Sequence, residues 1–271
     1  MSDFLMRGDA PLTDSEWEKV DSIVVEVAKK RLVCRRVLPI FGPLGAGVET
    51  VPVDSFEGCG ISPDEPIRQG NRRFIVLQEL KKDFYLTWRE IEAARNNVLP
   101  LALGPAAAAS SAVAMAEDTL ILRGDAKAGL DGLMTVKGST KAKMGDWSQT
   151  AAFSDIAAGI GKLQANGFPG PYALIVSPMG YAQLQKPYAQ TGALEISLIR
   201  ELVSDGVFQS PVLKDGEAVL IADGAQNVDL AIGVDLSVAA LGADGLDHQF
   251  RVLETVALRI KRPDSICVFS R

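Results

Sequence analysis

Apolar residues recur at helical spacing from Trp17 through Val20, Val24 and Val27, with Leu32 near the same side, and this pattern predicts a helix over 13–36. Thr13-Asp14-Ser15-Glu16 supplies a capping box, and Leu12 and Trp17 stand where a hydrophobic staple needs them. Lys29, Lys30, Arg31, Arg35 and Arg36 crowd the end, opposing the negative pole of the helix dipole, before Pro39 stops it. From Val48 to Trp88 the chain alternates weakly, as in Arg73-Phe74-Ile75-Val76-Leu77 and Asp83-Phe84-Tyr85-Leu86, and includes the turn-rich Gly58–Pro66. That suits a long two-stranded arm, which is marginal alone and needs a partner surface. Pro105 opens a second helix whose alanine-rich start reads as a buried spine, ending at Gly124. A third runs from Ser154 through Ile156, Ile160 and Leu163 to Asn166-Gly167, and another crosses Leu194, Leu198 and Leu202. Tyr172–Val176 is a buried strand, followed by strands over Ala218–Ala222, Val228–Leu241 and Phe250–Ile260. In the last, Phe250, Val252, Val256, Leu258 and Ile260 share one face. Helices and strands interleave without a βαβ repeat, so the fold class is α+β.

Composition narrows the function. The 271 residues suffice for one large domain or two modest ones, and 47% hydrophobic with 23% charged is ordinary for a globular protein. No run approaches the roughly 20 apolar residues of a membrane span, and Met1-Ser2-Asp3-Phe4 begins no secretion signal. Neither a membrane nor a secreted location is expected. Cys34, Cys59 and Cys267 form no CxxC pair and fit reduced thiols in the cytoplasm. A net charge of −6 argues against a nucleic-acid partner. His248 is the one histidine, and it stands in a turn entering a strand, so histidine-dependent nucleophiles and multi-histidine metal sites are not expected. Gly42-Pro43-Leu44-Gly45-Ala46-Gly47 lacks the Gly-Lys-Ser/Thr ending of a phosphate loop and reads as a structural turn. Glu90, Glu92, Glu117 and Asp118 are acid–base candidates for an enzyme, but read as solvated helix faces or ion pairs.

Several stretches carry a resemblance in collinear order. They are Phe4-Leu5 with Ala10-Pro11-Leu12-Thr13 and Trp17, Leu32-Val33-Cys34-Arg35-Arg36-Val37 with the glycine-rich turn, and Trp88–Arg95. Glu117–Gly124, Gly170-Pro171-Tyr172 and Phe250–Thr255 complete the set. Together they resemble the type 1 encapsulin shell proteins, especially the myxobacterial-like branch associated with ferritin-like cargo. The resemblance implies a tailed-phage major capsid-like fold. By it, 1–49, 89–139 and 223–271 form a peripheral domain, 50–88 an extended loop and 140–222 an axial domain. It further implies a non-enzymatic subunit that builds an icosahedral shell of about sixty copies, or a small multiple, around a cargo protein. The cargo implied is a ferritin-like iron-storage enzyme, with a peroxidase-type cargo or a DNA-packaging phage capsid as alternatives.

The same resemblance implies two sites. A short terminal peptide of the cargo docks on Val27, Leu32 and Arg35 from the first helix and on Leu236 and Val238. The loop Lys186, Pro187, Tyr188, Ala189, Gln190 and Thr191 approaches a fivefold pore. Some relatives bind flavin through a tryptophan in the extended loop, but Trp88 is offset from that position, with Arg89 in the better-aligned slot. No cofactor and no metal is expected.

Overall fold

The computed structural model describes residues 3–57, 68–96, 98–188 and 192–271. Helix α1 (Asp14–Arg31) opens on its capping box: the Glu16 amide donates to Thr13 Oγ1, and the Thr13 amide donates to Glu16 Oε2 at 2.8 Å. The helix stops at Arg31, short of the expected 13–36, and the cause lies on a neighbouring helix. Asp118 accepts the amides of Val33 and Cys34 at 3.0 Å each, which withdraws those donors from a continuing helical ladder. Arg36 Nη2 caps the freed end by donating to the carbonyls of Lys29 and Lys30 at 2.9 and 3.2 Å.

Strand β1 (Ile40–Phe41) leads through the glycine-rich turn to β2 (Thr50–Glu57), β3 (Arg68–Val76) and β4 (Gln78–Leu86). In that turn Gly42 has φ of 135°, and a Cβ there would stand 2.3 Å from the Ile232 carbonyl oxygen, so close chain packing requires the glycine. Helices α2 (Trp88–Arg95) and α3 (Gly104–Arg123) follow, then β5 (Gly124–Asp125), β6 (Leu130–Asp131) and β7 (Thr140–Lys143). The chain continues through α4 (Ala152–Ala165), β8 (Tyr172–Val176), α5 (Pro178–Leu184), α6 (Glu195–Leu202), β9 (Val207–Gln209) and β10 (Glu217–Ala222). It ends with β11 (Val228–Ile232), β12 (Ser237–Asp244), β13 (Asp247–Ile260) and β14 (Ile266–Ser270).

Two sheets organise these elements. In the first, the long β13 pairs antiparallel with β4, β12 and β11, and β1 adds parallel to β11. Phe250, Val252, Val256 and Ile260 are buried at alternate positions, as their period predicts. Helices α1 and α3 cover that face. Trp17 meets Phe250 edge-on at 5.7 Å, and Phe84 stacks on Phe250 at 5.4 Å. Ala106, Ala109, Ser110 and Ala114 of the spine helix are buried, and Ser110 Oγ donates to the Val24 carbonyl at 2.7 Å. Small side chains thus bring the two helices close. The second sheet has the order β7-β14-β10-β8-β9. Its strand β8 is buried throughout: Leu174 and Val176 face α4 and α6, while Ala173 and Ile175 face a core shared with the first sheet.

Three other boundaries depart from the sequence reading. Within the arm expected over 50–88, only β2 and β3 pair with each other. β4 is a sheet strand, because Phe84 and Leu86 bury at alternate positions beside β13. The single strand expected over Val228–Leu241 is broken at 233–236. There the Val234 amide donates to Thr255 Oγ1 and the Leu236 amide to Asp235 Oδ1, both at 2.8 Å. Finally, β14 pairs with β10 and β7, so 266–270 belong to the second sheet and not with the rest of 223–271.

Candidate functional site

The break at 233–236 and the end of α1 wall an open groove. Val25, Ala28, Lys29 and Leu32 come from the helix, Arg35, Arg36 and Ile40 from the segment after it, and Asp235 and Leu236 from the bend. Together they border about 760 Å³ of open volume. Ala28, Leu32, Ala114 and Leu236 pack as its floor, while Val25 and Ile40 stand 38% and 50% exposed at its sides. Such a surface suits an extended apolar segment with room for a few side chains.

Beneath one end of the groove lies a cluster of charge. Arg35 Nε donates to Glu117 Oε1 at 2.9 Å, and Nη2 donates to Glu117 Oε2 at 2.7 Å and to Glu254 Oε2 at 2.6 Å. Its Nη1 reaches Asp235 Oδ1 at the rim, at 2.7 Å. The side chains of Glu117 and Glu254 are 0% exposed, whereas that of Asp235 is 59% exposed. Burial, and then the Glu117 charge beside it, push the Glu254 carboxyl well above the usual carboxylate range despite Arg35. Burial opposes the Arg35 charge, but the carboxylates outweigh it and raise Arg35 above its ordinary value. Of the two sequence readings for these carboxylates, Glu117 takes the ion-pair one, buried against Arg35, while Asp118 is a buried acceptor of backbone amides; neither lies on a solvated helix face.

The groove brings together Leu32, Arg35 and Leu236 of the five residues expected to hold a cargo peptide. Val27 does not line it. Two residues turn a helix by about 200°, so Val25 faces the groove and Val27 lies on the opposite flank. Val238 is fully buried among Trp17, Phe250 and Val252, although its carbonyl accepts Arg7 Nε at 2.9 Å. Sequence reasoning passed over Val25, Ile40 and Asp235. The signal for Val25 was an apolar residue out of phase with the buried stripe, and for Asp235 a charge interrupting an apolar run.

At the expected pore loop, Lys186 Nζ donates back to the Ser148 carbonyl at 3.2 Å, Pro187 bridges to Leu194, and the Tyr188 ring lies 5.6 Å from Phe153. Ala189, Gln190 and Thr191 lie outside the described residues. Trp88 is half-covered by Arg89, whose guanidinium stands 5.4 Å from the ring centroid. Among the described residues no group of three or more His, Cys, Asp or Glu is placed to hold a metal ion, and no helix is long and apolar enough to cross a membrane. Burial pushes the thiols of Cys34 and Cys267 up, the latter to about 11, so neither is a thiolate near neutral pH.

With this geometry in hand, comparison with known proteins is informative. The family described as "Encapsulating protein for peroxidase" matches residues 1–257. The type 1 encapsulin shell protein EncA of Myxococcus xanthus is 45% identical, over 98% of this chain and 96% of that one. Among solved structures, the virus-like particle from Pyrococcus furiosus superposes with a TM-score of 0.80 at 23% identity, covering 94% of this chain and 99% of that chain. The capsid of Myoviridae phage XM1 follows at 0.67 and 13% identity, covering 88% of this chain and 91% of that chain, which extends the likeness to phage capsids at the level of fold. A family match over nearly the whole chain, a shell-protein relative aligned over nearly the whole of both chains and a capsid-like fold agree: the chain belongs to the encapsulating shell-protein family, as a structural subunit and not an enzyme.

Proposed function

We propose that the chain closes an icosahedral shell of about sixty copies or a small multiple, in the cytoplasm, and captures its cargo through a terminal peptide seated in the groove. In this reading 1–49, 89–139 and most of 223–271 form the peripheral domain, 50–77 the extended loop, and 140–222 with the C-terminal strand the axial domain. Lys186 approaches the fivefold opening. Two buried, unpaired thiols, Cys34 and Cys267, are in keeping with a reducing compartment.

The groove carries the cargo part of this reading. It is apolar along its floor, polar at its rim, and built from the helix end and the strand break together. Each apolar side chain that a peptide buries there contributes about 1.5–3 kcal/mol, so only three at the upper end of that range reach the roughly 8 kcal/mol of micromolar docking, before ordering costs. Many tethered copies inside one shell strengthen retention through effective concentration. The cargo class is the ferritin-like enzyme that the sequence resemblance points to, with a peroxidase as the competing class named in the family description.

The test co-expresses the shell with each cargo class and compares wild type with Val25→Asp/Ile40→Asp. Both residues are exposed, so the subunit still folds and the shell still forms. The cargo-to-shell ratio in purified particles drops about tenfold for each 1.4 kcal/mol lost. Full cargo in the double variant refutes the groove as docking site. DNA in place of protein in the particles refutes the cargo assignment.

A further inference from the structure

Arg35 faces more negative charge than it can balance. Glu117, Glu254 and Asp235 all meet its guanidinium within 3.0 Å, and two of them share the single nitrogen Nη2. Among the described residues no other cation forms an ion pair with Glu117 or Glu254. Glu254 Oε1 is buried and meets no donor, so a full negative charge on this carboxylate is incompletely compensated. Two ionised carboxylates about 4 Å apart repel by about 4 kcal/mol at an effective dielectric of about 20. A single proton on Glu254 removes that repulsion.

The groups packed around the pair leave this balance in place. On α3, Asp118 is turned away onto the amides of Val33 and Cys34. The Cys34 thiol beside it is buried. On β4, Leu80 stands opposite Glu254, and Lys82, two positions further, is exposed. Arg36 is spent on the α1 carbonyls, and Lys29 lies on the groove rim. Of the three carboxylates on Arg35, Asp235 alone reaches solvent, and it sits in the bend that carries Leu236 into the groove.

We propose that the Glu117–Glu254 pair and Arg35 form a proton-operated latch on the groove. With one proton on the pair, Arg35 holds Asp235 and keeps the 233–236 bend closed against α1. When that proton leaves, the two buried carboxylates keep the guanidinium, water takes Asp235, and the groove loses the wall that bears Leu236. Docking therefore weakens as pH rises. The inference rests on the reading of the groove as a docking site and adds its regulation.

Hydrogen exchange of the 233–238 amides in assembled shells tests the latch without any ligand, from about pH 6 to about pH 9 and corrected for intrinsic exchange. Wild type loses protection by up to about tenfold for each pH unit above the folded pKa of Glu254. Glu254→Gln keeps the neutral form at every pH and stays flat, and Asp235→Asn, at an exposed rim position, also stays flat. Identical pH profiles in wild type and Asp235→Asn overturn the latch, whatever the fate of Glu254→Gln. Co-expressed cargo supplies the second arm: its retention falls with pH in wild type in step with protection. Retention that ignores pH while the bend opens overturns the regulatory role. Full cargo in Val25→Asp/Ile40→Asp shells is a failure of the docking reading, seen on residues outside the latch, and it overturns the regulatory role as well.

Discussion

Removing Arg35 isolates what the buried cluster contributes. In Arg35→Met the two carboxylates with 0% exposed side chains lose the cation that they share, while the volume of the side chain is roughly kept. Breaking a buried ion pair from one side costs about 3–5 kcal/mol, because the partner is left charged and dry. Protonation of Glu254 recovers part of this, which places the expected loss at the lower end near neutral pH. At about 2–4 °C per kcal/mol, a loss of about 3 kcal/mol lowers the melting temperature by roughly 6–12 °C. Calorimetry on intact shells at one protomer concentration is the assay, since assembly and folding are linked. The control is Arg35→Met/Glu117→Gln/Glu254→Gln, in which neutral groups replace the whole cluster. It recovers most of the loss. A melting temperature for Arg35→Met within about 2 °C of wild type, or a triple variant no better than the single one, refutes the reasoning. The cluster also sets a pH slope. The folded pKa of Glu254 lies above its ordinary 4.5, so its contribution is complete below about pH 4.5 and is lost as pH rises through the folded pKa. Glu254→Gln lacks that slope.

Three further outcomes follow from other parts of the fold. Glu217 is held below the usual carboxylate range, first by its hydrogen bond from Arg123, so this contribution is present above its ordinary pKa and lost on acidification. Glu217→Gln costs about 1–2 kcal/mol at neutral pH and flattens acid unfolding, as followed by circular dichroism. Thr13→Ala removes the cap of α1 and costs about 1 kcal/mol, seen as a shift of a few degrees in thermal unfolding. Phe74→Asp, on an arm residue 65% exposed in the subunit, leaves circular dichroism unchanged but prevents shells, as counted by electron microscopy and light scattering.

What was legible in the sequence was local. The capping box at Thr13, the buried run Tyr172–Val176 and the alternating Phe250–Ile260 each declare themselves within a few residues, and each forms where expected. The end of α1 was not legible, since it is set by Asp118, which lies 85 residues from Val33. The groove was half legible. Leu32, Arg35 and Leu236 came from resemblance, but choosing Val25 over Val27 needs the phase of the helix against α3, which only packing fixes. Glu254 did carry a signal. It occupies an inward position between Val252 and Val256, where a carboxylate demands a cation or a proton. Its cation, however, is Arg35, 219 residues away, and no local pattern links them.

The subunit finishes some of its surfaces and leaves others open, and the difference divides folding from assembly. Val51 and Val53 of β2 are buried at the base of the arm, and Arg259 Nη1 donates to the Pro52 carbonyl at 3.4 Å. On the arm's other strand, Phe74 and Val76 remain outside, although a two-stranded ribbon is marginal without cover. Burying each against another copy contributes up to about 1.5–3 kcal/mol. That is too little to hold one pair of subunits once the entropy of association is counted, but a closed shell repeats it around every subunit. The groove is likewise left open on a smaller scale, with an apolar floor supplied by the fold. Its rim depends on an arginine shared among three carboxylates.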